Sequence, residues 1–254
     1  MHFSTTRFYF KSKGETLIKG NFFEAIDVTW PAEKFLEIPK WRLRRSANGG
    51  KRVSAATAIG PTDFSDIKLA ENKMAQWHQD KLFMIKKNEI ILDEALSESG
   101  YRMIDPTNIW SISSKILSIQ KTPPVTAFTI FPPLAIQREI WRSNNISPSR
   151  IEIMDRVKTH KTTIFGRINA RPAASAFVAV SNKVAMVHAL VVDQKCRRQG
   201  MGKYVMQKVG SWAYQMGADS VVALCTEKNY SANILYKGLG MQVISKYHYR
   251  LLKI

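Results

Sequence analysis

The chain has 254 residues, 45% of them hydrophobic, enough for a sizeable core in one large domain or two moderate ones. Its 38 basic and 20 acidic residues leave a formal charge of +18, which suits a polyanionic ligand or a basic solvated surface. No apolar run approaches the roughly 18 residues of a membrane-crossing helix, and two cysteines, Cys196 and Cys225, make neither a disulfide framework nor a metal site, so a reducing cytoplasm fits best.

Residues 1–14 carry Arg7, Lys11 and Lys13 among Phe8, Tyr9 and Phe10. Without a sustained apolar core or a small-residue cleavage site they read as a strand or tail rather than a targeting peptide. Residues 21–29 have helical spacing (Phe22, Phe23, Ile26) and end at Trp30-Pro31, since proline favours an extended residue before it. Residues 41–45 and 51–59 read as two strands of a hairpin about Asn48-Gly49-Gly50. Residues 63–79 form a helix with Ile67, Ala70, Met74 and Trp77 on one face, capped by Asp63 or Ser65. A short strand at 82–85, a helix at 89–99 stopped by Gly100, and an extended stretch at 101–113 complete the first half.

Lys121-Thr122-Pro123-Pro124 marks a boundary, giving expected domains of 1–122 and 123–254. The charge is uneven across it: residues 1–124 hold 19 basic and 14 acidic side chains, and residues 125–254 hold 19 and 6. Residues 125–131 form a strand closed by Pro132-Pro133, and 134–141 a helix. Ser147-Pro148 opens a second helix running to about 157, with serine as cap and proline in the first turn. Strands follow at 162–169 and 173–180, then a central strand at 184–192 with the length and β-branching of a buried one. A helix follows a basic turn, then a strand at 220–226, a helix at 232–239, and one or two strands within 242–252, where Tyr247, Tyr249 and Leu251 alternate.

The basic turn reads Lys195-Cys196-Arg197-Arg198-Gln199-Gly200-Met201-Gly202, between the central strand and a helix start. Such a turn leaves backbone amides unpaired and backs them with the positive end of the helix dipole, an anion cradle to which Lys195, Arg197, Arg198 and Lys203 add charge. It lacks the Gly-x-x-x-x-Gly-Lys-Ser/Thr spacing of nucleotide hydrolases. It also lacks the dinucleotide pattern, which would want a third glycine where Val205 stands.

Arg197-Arg198-Gln199-Gly200-Met201-Gly202 resembles the Arg/Gln-x-x-Gly-x-Gly/Ala pyrophosphate loop of the GCN5-related N-acetyltransferase (GNAT) superfamily. Residues 229–241, from Asn229 through Ala232, Leu235 and Tyr236 to Leu239-Gly240-Met241, resemble that family's second signature, with Met241 in place of an aromatic and Gln194 where many members have proline. The element order from residue 125 onward also matches. The resemblance implies an α/β fold with a GNAT-type mixed, splayed central sheet flanked by helices. The strand and helix order of residues 20–120 suggests a degenerate GNAT-like lobe before it, with Gly60-Pro61-Thr62 in the loop position and so no cofactor loop.

It further implies acetyl-CoA, or another acyl-CoA, as co-substrate, with no metal. Arg197, Arg198, Gln199, Gly200, Met201, Gly202 and Lys203 would hold the pyrophosphate, and the backbone of Leu190, Val191 and Val192 would pair with the pantetheine arm. Asn229 either caps its helix or bonds the pantetheine amide. Tyr236 resembles the tyrosine that protonates the leaving thiolate; its structural alternative is a packed phenol with a backbone partner. His188 and Glu227 are the candidate general bases, and each is more often structural. Neither cysteine is placed as a nucleophile, which direct transfer does not need.

The implied activity is direct transfer of an acyl group to a primary amine on a small molecule or protein. Two alternatives stand beside it: a catalytically silent CoA-binding or regulatory module, and an acetyltransferase whose acceptor is bound to nucleic acid, a reading that rests on charge alone. Neither the acceptor nor the choice between monomer and homodimer is written in these motifs.

Overall fold

A computed structural model describes residues 22–46 and 48–253; the expected N-terminal strand or tail at 1–14 lies outside them. Helix α1 (Phe22–Thr29) leads into a hairpin of β1 (Lys34–Ile38) and β2 (Trp41–Arg45), paired from Lys34↔Arg45 to Ile38↔Trp41. This corrects the hairpin expected about Asn48-Gly49-Gly50. The chain beyond Gly50 makes a helical turn at Lys51–Val53, and only β3 (Thr57–Ala58) pairs with β2. Gly50, at φ +93, directs the chain into that turn instead of back along β2. β1 escaped notice because it is mostly exposed and lies between Pro31 and Pro39, without clean apolar alternation.

Next come α2 (Phe64–Gln76), β4 (Lys81–Lys86), α3 (Ile90–Glu98), β5 (Arg102–Ser113) and the short α4 (Ser114–Ser118). The second half supplies β6 (Ala127–Ile130), α5 (Ala135–Arg142), α6 (Pro148–Arg156), β7 (Lys161–Ile168), β8 (Arg171–Ser181), β9 (Val184–Val192), α7 (Met201–Gln215), β10 (Ser220–Thr226), α8 (Tyr230–Gly238) and β11 (Gln242–Leu252). Pro148 opens α6 as expected, but Ser147 makes no side-chain cap. At the other end of α6, Lys161 Nζ donates to the carbonyls of Met154, Asp155 and Val157 at 3.0, 2.9 and 2.8 Å.

Eight strands form one mixed sheet in the order β4-β11-β5-β10-β9-β8-β7-β6, and β1-β2-β3 form a smaller one. Alternation along the strands decides which layer each residue joins. On β8, Ala174, Ala176 and Val178 pack with Val205 and Val209 of α7, whereas Phe177 and Ala179 pack with Trp30, Trp141 and Ile153 on the other face. On β10, Val221, Ala223 and Cys225 face α7, while Val222 joins Ile26 of α1 and Tyr247 and Tyr249 of β11.

The two halves repeat one order: β1-β2-β3-α2-β4-α3-β5, then β7-β8-β9-α7-β10-α8-β11. In the second half the third strand pairs with the fourth in parallel from Ser220↔Val184 to Ala223↔Val187, and in the first half Ala56, just before β3, makes an isolated parallel bridge to Phe83 of β4. Each final strand is seated in the other half: β5 lies between β10 and β11, and β11 between β4 and β5. The boundary expected at residue 122 therefore divides the chain but not the sheet, since β4 and β5 bond into the same sheet as β6 to β11.

A buried ion pair ties α1 to the small sheet. Asp27 takes Arg44 Nε and Nη2 at 2.7 Å each, while Arg44 Nη1 donates to the Ala55 carbonyl at 2.9 Å. Among the described residues no helix is long and apolar enough to cross a membrane.

Candidate active site

β9 delivers the chain to a tight turn in which the Asp193 side chain accepts from Lys195 N at 2.9 Å. Gly200 then adopts a left-handed conformation, φ +80, as the N-cap of α7. Tyr204 N donates to Gly200 O at 3.1 Å as the first bond of the helix. Among the described residues, the backbone N–H groups of Arg198 to Lys203 have no protein acceptor, and no acid stands in the first turn of α7. These are orphan donors at the positive end of a 15-residue helix. A Cβ on Gly202 would come within 3.0 Å of Leu235 Cδ2 and 3.8 Å of Val192 Cγ2, so glycine keeps the space between α7, α8 and the end of β9. Arg197 is turned back on the strand, its Nε donating to Val192 O at 3.2 Å.

The corresponding helix start in the first half is closed. Asp63 caps α2 by accepting from Asp66 N at 3.1 Å, and Asp66 accepts from Asp63 N at 2.9 Å. Two carboxylates fill the place an anion would take.

β9 and β10 separate beside the open loop. Their parallel pairing ends at Val187↔Ala223, leaving His188 to Val192 and Leu224 to Thr226 unpaired with each other. A bulge in β9 accompanies the split: its register with β8 shifts between Phe177↔His188 and Ser175↔Val191, with Ala189 at φ +48. Trp141 Nε1 fixes the bulge by donating to Ala189 O at 2.8 Å. Leu190, Val191 and Val192 are half-buried along this gap.

Tyr236 lies on α8 against Trp110 of β5, ring centroids 6.2 Å apart, and is 5% exposed. Burial holds its phenol protonated well above the ordinary tyrosine range. Among the described residues its hydroxyl has no hydrogen-bond partner. Asn229 caps α8, Oδ1 accepting from Ala232 N at 3.2 Å. Glu227, at the end of β10, is exposed and pairs with Lys246 at 2.7 Å. Cys225 is buried, which pushes its thiol up to about 11 and keeps it a neutral core side chain.

His188 is buried in a different setting from that of a free base. Thr29 Oγ1 donates its proton to Ala25 O at 2.6 Å and so accepts from His188 Nε2 at 2.9 Å. Arg52 Nη1 donates to Nδ1 at 3.1 Å. Both nitrogens are engaged with a neutral ring, which stacks on Trp30 at 4.8 Å. Burial first, and the Arg52 charge second, hold the imidazole well below its ordinary pKa. No lone pair is left to receive a substrate proton; the ring joins α1 to β9.

Asn233, an unspecified position in the second signature, is the junction of the site. Its Nδ2 donates to Thr226 O and Asn229 O at 2.9 and 2.8 Å, and its Oδ1 accepts from Asn108 Nδ2 and Trp110 Nε1 at 3.1 and 3.0 Å. It locks β10, α8 and the inserted β5 together behind Tyr236.

A cleft of about 320 Å³ opens at the split. Ala189, Leu224 and Thr226 line it from β9 and β10, and Trp30, Gly50, Arg52, Asp105 and Arg150 are among its other walls. Most of those walls come from the first half, and no sequence motif announced them.

An unpaired helix start stands beside two diverging parallel strands, an arrangement chemically suited to an extended, anion-bearing ligand. Residues 133–241 match the model of the acetyltransferase (GNAT) family. The uncharacterized N-acetyltransferase YobR of Bacillus subtilis is 26% identical over 236 residues, covering 88% of this chain and 94% of that protein. Among solved structures, a GCN5-related N-acetyltransferase from Kribbella flavida aligns with TM-score 0.71 at 15% identity, over 89% of this chain and 92% of that one. A tandem GNAT protein from the clavulanic acid biosynthesis pathway aligns at 0.57 with 10% identity, over 78% and 75%. Residues 133–241 are thus matched as a GNAT-family domain, the chain is similar in sequence to an N-acetyltransferase relative, and its fold is that of solved GNAT structures.

Proposed function

We infer that the protein is an acetyl-CoA-dependent N-acetyltransferase acting by direct attack of a primary amine, with no covalent enzyme intermediate. The observation that carries this reading is the conjunction of unpaired amides at residues 198–203 with the adjacent unpaired ends of β9 and β10. The Gly202 approach also fits the group, since any Cβ would fill the space beside Leu235 and Val192. The backbone from Arg198 to Lys203 would hold the diphosphate, helped by the side chains of Arg198 and Lys203. The free backbone groups of Leu190 to Val192 would hold the pantetheine arm, and Asn229 keeps α8 in place beside it.

Acetyl-CoA, when bound, supplies a thioester whose carbonyl carbon bonds to the amine nitrogen as the carbon–sulfur bond breaks. Backbone N–H groups at the β9 bulge stabilise charge on the carbonyl oxygen. Tyr236 gives its proton to the departing sulfur; a buried, protonated phenol without a protein partner is suited to that task. Glu227, at the open end of β10, takes the amine's proton through water. His188 positions α1 against the bulge and takes no proton.

The test is thiol release from acetyl-CoA across a panel of primary amines, with Tyr236→Phe as the variant. Turnover of the variant should fall tenfold or more while CoA affinity, measured by calorimetry, persists. Unchanged turnover would remove Tyr236 from the chemistry, and CoA binding with no thiol release for any amine would favour the silent binding module.

A further inference from the structure

The cleft beside the split has an imbalance of charge. Lys51, Arg52 and Arg150 line it with one carboxylate, Asp105, and that carboxylate is taken by Lys51 at 3.0 Å. Arg52 donates only to the neutral His188 ring, and its Nε is buried with no acceptor. Arg150, projecting from α6, has neither a hydrogen bond nor an ion pair among the described residues. Its guanidinium rests on the Gly50 backbone, where a Cβ would come within 3.2 Å of Nη2. Burial, with the Arg52 charge beside it, pulls Arg150 below its ordinary pKa, as expected for a cation lacking a counter-charge.

Among the described residues the two most buried guanidiniums are matched, Arg44 by Asp27 and Arg250 by Asp93, at 2.7 and 2.6 Å; half-buried Arg156, away from this cleft, also lacks a carboxylate but donates Nη2 to Pro31 O at 3.3 Å. Two adjacent guanidiniums without carboxylates keep an energetic debt of desolvation and repulsion that a ligand oxyanion relieves, and their planar forks suit two-point contact with one. The cleft volume suits a small molecule. Resting on the acyl-transfer reading above, we propose that the amine acceptor carries an oxyanion, a carboxylate or a phosphate, held between Arg52 and Arg150 so that its amine faces the ends of β9 and β10 at Ala189 and Thr226. Specificity thus comes from the first half and α6, while the thioester end is set by the second half.

The experiment measures kcat/KM for thiol release from acetyl-CoA with matched pairs: free amino acids against their α-amides, and 2-aminoethyl phosphate against ethanolamine. The charged member of at least one pair should exceed its neutral partner tenfold or more, and the pair that separates identifies carboxylate or phosphate. In Arg150→Gln that ratio should fall to within about threefold of one, mainly through KM; retained CoA affinity by calorimetry shows the variant folded. Neutral amines acetylated as well as their charged partners would overturn the oxyanion proposal and leave acyl transfer standing. Failure of the wild-type protein to bind CoA would instead overturn the acyl-transfer reading, and this proposal with it.

Discussion

The imidazole of His188 has both nitrogens assigned by neighbours, which makes its protonation costly in the fold. An unfolded histidine titrates near about 6.5, whereas burial and Arg52 depress it here. Above about pH 6.5 both states are neutral and the stabilisation is complete. Below it the unfolded chain binds a proton that the folded chain refuses, so stability falls with pH by up to about 1.4 kcal/mol per unit. Urea unfolding at pH 7.0 and 5.5 should show a smaller loss in His188→Gln than in the wild type; equal losses would contradict this assignment. At the loop, Gly202→Val places a branched side chain where even a Cβ meets Leu235 at 3.0 Å. Its Kd for CoA should rise at least tenfold by calorimetry, and an unchanged Kd would contradict the role given to this loop.

At the scale of elements, α1 matters beyond its eight residues because it carries both Thr29, the partner of His188, and Asp27, the partner of Arg44. Breaking a buried pair strands the remaining charge, at a cost of about 3–5 kcal/mol. Asp27→Ala should show that loss in chemical denaturation, and a loss under 1 kcal/mol would mean Arg44 finds water or another acceptor. The elements legible in the sequence were those set by nearby residues. β9, the glycine turn, α7 and α8 follow from spacing within about a dozen positions, and the Asp63 cap from its local chemistry. The hairpin was misplaced because Asn48-Gly49-Gly50 looks like a turn in isolation, while its actual path is set by packing: a Cβ on Gly49 would meet Ile153 Cδ1 at 2.7 Å. Arg52, Arg150 and Asn233 gave no signal, since their meaning lies in partners, or missing partners, far away in sequence.

At the scale of the whole molecule, the exchange of β5 and β11 makes each half complete the other's sheet. Nothing local encodes that exchange, because Ser220↔Ser113 and Leu252↔Lys81 are pairings across more than a hundred residues. Its consequence is that Arg52, Asp105 and Thr107 of the first half stand over the split of the second. In the second half the amides of residues 198–203 have no protein acceptor among the described residues, whereas in the first half Asp63 and Asp66 cap the corresponding helix start.

The most direct measurement is a calorimetric titration of the wild-type protein with CoA and with pantetheine, which has the same thiol arm but no diphosphate. If the amides of residues 198–203 clasp the diphosphate while the arm lies between β9 and β10, CoA should bind at least a hundredfold more tightly. Equal affinities, or no affinity for CoA, would contradict the account.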